Sequence, residues 1–335
     1  VSLPRNQVLI GDARFELVGL PEASVDMVLT SPPYFRLRDY QVSGQLGLEH
    51  SVGDWVDNLR AVAQEVARVL TPTGCFWLNV GDSYSLHARQ GAKRKSLLFG
   101  PERLALALIS DGWRLRNKIV WQKANPMPSS VRDRLSCTWE ALYVFVRHEH
   151  YFFDLDAIRM PHQSTPPKPR LGGIPTAQRE AWRGPNGDDA SGLSAMKAQG
   201  RIGHLLGKNP GDVWKIASSN YRGAHHATFP VALAMRVIAA GCPEARCVVC
   251  RQPWKRQTIR VLGNVAVRGS LEASCRCGAP REPGLVLDPF MGAGSTAIAA
   301  EQLGRDWLGV ELNPDFAGLA IRRIREARDK DKKYE

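Results

Sequence analysis

The sequence predicts an α/β protein in which strands and helices layer around a buried sheet. Apolar runs alternate with amphipathic stretches over the first 150 residues, and the same alternation returns between Pro230 and Arg328. A third sign is local: Leu285-Val286-Leu287-Asp288 passes directly into a glycine turn and a helix start at Thr296, as at the carboxyl edge of an open sheet. At 335 residues and 44% hydrophobic content, the chain can build one large core with attachments or two domains, and is not mostly disordered.

Taken in order, Ser24 to Thr30 reads as a short buried strand ended by a double proline. Trp55 to Leu70 reads as a helix, because Trp55, Leu59, Val62, Val66 and Val69 recur at helical spacing and Ser51 with Asp54 resembles a capping box. Thr71-Pro72-Thr73-Gly74 breaks it, and Cys75 to Val80 is a second buried strand. Pro101 opens a helix to about Ser110, with Gly112 beyond its end, and Lys118 to Gln122 and Ala141 to Arg147 are further strands. From Ile158 to Arg222 periodicity fades, Pro, Gly and Ser become frequent, and ten Lys or Arg face four Asp or Glu. That stretch reads as a basic, loop-rich region, a description that a poorly ordered insertion also fits. Pro230 to Ala240 (helix), Gly284 to Asp288 (strand), Thr296 to Leu303 (helix), Trp307 to Glu311 (strand) and Phe316 to Arg328 (amphipathic helix) complete the chain without an internal repeat.

The formal net charge of +12 favours a polyanionic partner, since clustered Lys and Arg gain by displacing phosphate counterions. No apolar run approaches the roughly 20 residues of a membrane span, and the N-terminal residues lack a signal-peptide layout, so a soluble cytoplasmic protein with no membrane partner is expected. Of seven cysteines, Cys75 and Cys137 are isolated and five crowd between Cys242 and Cys277, which suits a metal site in a reducing compartment better than a disulfide framework.

Thr30-Ser31-Pro32-Pro33-Tyr34 lies where the first strand ends. Two prolines remove two backbone donors and fix both φ angles, leaving the Ser31 and Pro32 carbonyls exposed as rigid acceptors. A base amino nitrogen is a poor nucleophile because its lone pair is delocalised. Hydrogen bonds from its N–H groups to Ser31 Oγ and the Pro32 carbonyl would free that pair, and Tyr34 offers a face to an extruded base. Taken alone, the same residues also describe a plain turn beside a packed aromatic. In the late loop, Gly292 and Gly294 let the backbone approach a ligand, and Glu311 ends the next strand where it can accept from ribose hydroxyls. These features specify a nucleoside and fit a relaxed dinucleotide fingerprint as well, so a nucleotide-dependent oxidoreductase is the rival class. Against it, only about 40 residues follow the loop and Asp288-Pro289-Phe290 is foreign to that fingerprint.

Together, the early Thr30-Ser31-Pro32-Pro33-Tyr34 and the late Asp288-Pro289-Phe290-Met291-Gly292-Ala293-Gly294-Ser295-Thr296 resemble the beta group of amino-DNA methyltransferases, in which the catalytic motif precedes the cofactor motif. The similarity includes Gly11-Asp12-Ala13, Gly81-Asp82-Ser83-Tyr84, Ile119 to Lys123 and His226 to Pro230. The resemblance implies a mixed, mostly parallel seven-stranded sheet with helices on both faces. It divides the chain into a catalytic half (1–157), a target-recognition region (158–225), a cofactor half (226–241 and 285–335) and an inserted segment (242–284). It implies S-adenosylmethionine as cofactor, with Asp12 on the adenine, Glu311 on the ribose, Asp288, Phe290, Gly292 and Gly294 on the methionine side, and Phe229 and Pro230 shaping the pocket. Ser31, Pro32, Pro33 and Tyr34 would be catalytic, methylating a flipped base in double-stranded DNA by direct in-line transfer. Serine in the first motif position resembles the cytosine-N4 enzymes; adenine-N6 is the alternative. The resemblance further implies a restriction-modification setting with a cognate restriction endonuclease sharing the site, and leaves monomer and homodimer both open.

The inserted segment carries Cys247-Val248-Val249-Cys250 and Cys275-Arg276-Cys277, two pairs separated by 24 residues, close to a zinc ribbon although the second pair is one residue tight. Structural zinc is expected there, and Arg246, Arg251, Lys255 and Arg256 around the cysteines argue against burial. An inactive zinc-containing nucleic-acid-binding protein is the remaining alternative. Arg89, Lys93, Arg94 and Lys95 form a basic, mobile loop suited to phosphates, a pattern that a plain solvated charged loop fits equally well. Arg170, Arg179, Arg183 and Arg201, mixed with Trp182, Trp214 and Tyr221, read as DNA contacts of the recognition region.

Overall fold

The alternation of the sequence becomes one eight-stranded sheet in the computed structural model, which describes residues 3–162, 203–218, 229–261 and 265–331. In chain order the elements are β1 (Gln7–Ile10), α1 (Ala13–Glu16), β2 (Val25–Thr30), α2 (Val52–Val69), β3 (Leu70–Val80), α3 (Gly100–Ser110), β4 (Arg114–Lys123), β5 (Trp139–Val146) and β6 (Val213–Ile216). There follow α4 (Val231–Gly241), β7 (Arg246–Cys247), β8 (Lys255–Val261), β9 (Val265–Glu272), β10 (Arg281–Glu282), β11 (Leu285–Asp288), α5 (Ser295–Gln302), β12 (Asp306–Glu311) and α6 (Pro314–Asp331). The sheet runs β1-β12-β11-β2-β3-β5-β4-β6, and β5 alone is antiparallel to its neighbours.

Helices cover both faces because side chains alternate along β3. Phe76, Leu78 and Val80 join the core that Trp55, Leu59, Val62 and Val66 of α2 build. Cys75 and Trp77 point the other way, where Cys75 Sγ meets the Gly241 carbonyl at the end of α4. Ser51 closes the expected capping box with Asp54 at the start of α2. The sheet has one strand more than the expected seven. The short edge strand β6 lies inside the stretch read as loop, and only Trp214 of its four residues is buried. Strand β3 also begins at Leu70 rather than Cys75, continuing straight from α2 through the Thr71-Pro72-Thr73-Gly74 signal.

Contacts divide the chain into two compact units: one from Val1–Asp154, Gly211–Lys255 and Ala273–Glu335, the other from Leu155–Pro210 and Arg256–Glu272. The second contains most of the two-stranded β8–β9 sheet, in which β8 is exposed throughout and its Thr258 hydroxyl donates to Asp156. Among the described residues no helix is long and apolar enough to cross a membrane.

Candidate active site

Strand β2 is buried at all six positions, flanked by β11 on one side and β3 on the other. Since these strands are parallel, the loops after β2 and β11 open at the same edge, although their motifs lie far apart in sequence. A buried carboxylate joins them. Thr30 Oγ1 donates to Asp288 Oδ1 at 2.6 Å, Thr296 Oγ1 donates to Asp288 Oδ2 at 2.5 Å, and the Phe290 amide adds a third bond at 3.1 Å. Burial pushes the Asp288 carboxyl up to about 6, a rise those three donors oppose.

Above this seam lies a cavity walled by Gly11 to Ala13, Ser31, Pro33, Tyr40, Leu46, Phe229, Pro289 to Ala293, Glu311 to Asn313 and Phe316, among others. Of the residues expected from sequence, Asp12, Ser31, Pro33, Phe229, Phe290, Gly292 and Glu311 stand in its wall. Pro32, Tyr34, Pro230, Asp288 and Gly294 lie outside that wall; Asp288 is buried, and Pro230 caps α4. Gly292 and Gly294 take φ of 52° and 77°, so the loop turns in a backbone region that side chains resist.

The carboxylates at the wall are oriented by backbone. Glu311 accepts from the Gly292 amide on Oε2 and the Asn313 amide on Oε1, both at 2.8 Å, and burial raises its pKa against these bonds. Each oxygen keeps acceptor capacity for a further donor. Asp12 caps α1 through the Arg14 amide at 2.9 Å; burial pushes its carboxyl up, but the Arg14 guanidinium outweighs this and holds it below the usual range. Tyr40 and Phe316 meet edge to face, their centroids 6.2 Å apart. Both line the cavity, and no motif signalled them.

Behind Ser31 lies a polar cluster that the motifs also did not signal. Ser31 Oγ donates to the Tyr34 hydroxyl at 3.1 Å, which donates to Glu140 Oε2 at 2.7 Å and lies 3.3 Å from Asn79 Oδ1. Lys123 Nζ pairs with Glu140 Oε1 at 2.6 Å. Burial, then the nearby Glu140, push the Tyr34 phenol well up, so it is a neutral donor. Its ring lies against Gly81, where an added Cβ would fall 2.6 Å from Cε2.

The sulfurs of Cys247, Cys250, Cys275 and Cys277 all lie within 4.8 Å of one another, near the roughly 3.8 Å spacing of four thiolates around a zinc ion. The Cys247 end of this knuckle is buried, contrary to expectation: Arg246 is 1% exposed. Its guanidinium is balanced by Asp26 at 2.9 Å and Glu282 at 2.8 Å, which is what lets a charge enter the core.

Arg89, Lys93, Arg94 and Lys95 are exposed on the segment between β3 and α3, at the same sheet edge as Ser31. The expected loose loop is instead tied back on itself by backbone bonds from the Ser85 amide to the Ser96 carbonyl and from the Lys95 amide to the Ser85 carbonyl and by a Tyr84–Leu97 bridge, and the Lys95 side chain pairs with Asp133 at 2.6 Å. Trp214 is no base reader: it is 3% exposed, stacks under Arg236 and packs beside Trp77. Arg170, Arg179, Arg183, Arg201, Trp182 and Tyr221 lie outside the described residues.

A family model described as DNA methylase, named for N6 and N4 methyltransferases, matches residues 25–322. The chain belongs to this DNA methylase family. The order of its motifs, acceptor loop before glycine loop, places it in the beta group of amino-DNA methyltransferases. Type II methyltransferase M.SmaI of Serratia marcescens is 30% identical over 339 residues, covering 95% of this chain and 90% of that protein. M.XycI of Xanthomonas campestris pv. cyanopsidis is 33% identical over 336 residues, covering 94% and 86%. Among solved structures, PvuII DNA methyltransferase (cytosine-N4-specific) shares the fold with a TM-score of 0.58 at 18% identity, over 98% of this chain and 93% of that one. A Thermus thermophilus protein described as a putative DNA modification methylase, solved with S-adenosyl-L-methionine, gives a TM-score of 0.54 at 25% identity, over 96% and 93%.

Proposed function

We propose that this methylase transfers a methyl group from S-adenosylmethionine to the N4 amino group of a cytosine flipped out of double-stranded DNA. The observation that carries the reading is the shared cavity, whose wall holds the acceptor residue Ser31 and the nucleoside-binding set Asp12, Phe290, Gly292 and Glu311 together. The Thermus thermophilus protein was solved with this cofactor, and the cavity suits it. Glu311 has acceptor capacity left for ribose hydroxyls, Asp12 stands in the same wall on the adenine side with both its oxygens held by Arg14, and Phe229 and Phe290 supply apolar wall, with Pro230 capping the helix that follows Phe229. Asp288 and Gly294 act from beneath, holding the loop in shape. The cofactor supplies an electrophilic sulfonium methyl. The protein's part is to hold the amino nitrogen in line with it, with the Ser31 hydroxyl and Pro32 carbonyl taking its N–H groups and Tyr34 flanking the base. One C–N bond forms, one C–S bond breaks, and a proton leaves the nitrogen.

Serine at position 31 supports cytosine over adenine, where an aspartate or asparagine would more often stand. The relatives' Type II naming supports a restriction-modification setting with an endonuclease of the same site. Arg89, Lys93, Arg94 and Lys95, together with Arg170, Arg179, Arg183 and Arg201, are the residues we assign to DNA, and the four clustered cysteines to a structural zinc ion. Mass spectrometry of nucleosides from DNA treated with protein and cofactor is expected to find N4-methylcytosine. N6-methyladenine would overturn the base assignment, and no methylated base would overturn the activity. Ser31→Ala is expected to lower transfer at least ~100-fold while calorimetric binding of the cofactor persists.

A further inference from the structure

We infer that Glu140 is a positioning residue that fixes which way the Ser31 hydroxyl points, and thereby admits only hydrogen-bond donors to it. This rests on the reading that Ser31 receives the substrate amino group. A hydroxyl has one proton to give, while an ionised carboxylate has none. Glu140 is ion-paired with Lys123 at 2.6 Å and offers lone pairs only. The Tyr34 hydroxyl donates to it at 2.7 Å, so the Tyr34 oxygen is left as an acceptor and Ser31 Oγ donates into it at 3.1 Å. With its proton committed, Ser31 shows the cavity lone pairs alone. Asn79 keeps the same sense: its Nδ2 donates to Glu140 at 3.3 Å and to the Ala141 carbonyl at 3.2 Å, which turns Oδ1 toward Tyr34 as a second acceptor.

The substrate class follows from this direction. A base presenting an exocyclic amino group finds an acceptor at Ser31, whereas one presenting a keto oxygen meets a second set of lone pairs and is repelled. Glutamine at 140 would have the same shape with an amide N–H in reach of the Tyr34 oxygen. The chain could then reverse, with Tyr34 donating to Ser31 and Ser31 donating into the cavity.

The test is single-turnover methylation with full-length Glu140→Gln, Tyr34→Phe and the double variant, with thermal midpoint and cofactor affinity measured on each. Glu140→Gln is expected to slow transfer ~10- to 100-fold, with cofactor affinity and midpoint near wild type, and to add nothing further in the Tyr34→Phe background. A Glu140→Gln enzyme of wild-type rate overturns the inference, as does an equal loss with and without Tyr34. Tyr34→Phe keeps the ring but removes the acceptor of the Ser31 proton, so it is expected to slow transfer ~10- to 100-fold by itself; if Glu140→Gln is poorly soluble, this variant decides, and a wild-type rate in it overturns the inference. Ser31→Ala separates the two levels: wild-type transfer there removes the underlying reading, whereas an inactive Ser31→Ala beside a fully active Glu140→Gln removes only the polarity chain.

Discussion

Asp288 is a carboxylate buried at 1% exposure with no cation bonded to it among the described residues, held by two threonine hydroxyls and one amide. Burial lifts its pKa from the ordinary 3.8 to about 6, so the folded protein binds this proton more tightly than the unfolded chain does. The sign follows from linkage: its favourable contribution is complete below about pH 4 and is lost as pH rises through about 6. Asp288→Asn keeps the shape and an acceptor, has no proton to lose, and lets a threonine hydroxyl turn to accept. Relative to this variant, wild type should therefore lose stability between pH 4 and pH 7, by on the order of 3 kcal/mol. Denaturant unfolding of both proteins across that range checks this, and parallel profiles would refute it. Its role is geometric: it fastens the loop carrying Ser31 to the loop carrying Gly292.

At the scale of elements, the parallel neighbours β11, β2 and β3 bring three loops to one edge, and the last begins with Gly81. A Cβ there would press 2.6 Å from the Tyr34 ring, whose hydroxyl is pinned by Glu140 and Asn79 and cannot swing aside freely. Gly81→Ala is thus expected to cost about 1–3 kcal/mol and, by shifting Tyr34, to slow transfer more than that loss of stability alone would. Unchanged kinetics in a folded Gly81→Ala protein would mean that the ring has room. The elements legible in sequence were those with long periodicity or punctuation: α2 with its Ser51 cap, and β11 running into its glycine turn. Short strands with one buried side chain carried too little pattern, which is why β6 passed as loop. The wall of the candidate cavity was legible where chemistry clusters along the chain, as at Ser31 and Pro33 and at Phe290 and Gly292. Glu140, Asn79 and Lys123 come from three separate strands and meet only through pairing of β3, β5 and β4, so no linear spacing announces them.

For the whole molecule, the cysteine knuckle is wired into the sheet rather than appended to it. Strands β7 and β10 pair Cys247 with Arg281, and the adjacent Arg246 reaches Asp26 near the start of β2, whose carboxylate also accepts from the amide that opens β11. Glu282 beside it pairs with Arg5 as well, which in turn holds Asp306 at the start of β12. Four thiolates held without a cation would repel one another beside this frame, whereas an ion of charge +2 balances them and fixes two chain segments at once. One zinc ion per chain is therefore expected in the purified methylase by elemental analysis. Its removal by a strong chelator, or by Cys250→Ser with Cys277→Ser, should lower the thermal midpoint by at least about 5 °C. Methyl transfer should fall in parallel, because slackening Arg246 frees Asp26 on the strand that leads to Ser31, and no catalytic group has to touch the metal for this to happen. Cofactor affinity, which the proposed function assigns largely to the β1, β11 and β12 loops, should fall less than transfer. A metal-free protein with wild-type midpoint and rate would leave the cysteines as ordinary thiols and assign the joint to the Arg246–Asp26–Glu282 charges alone.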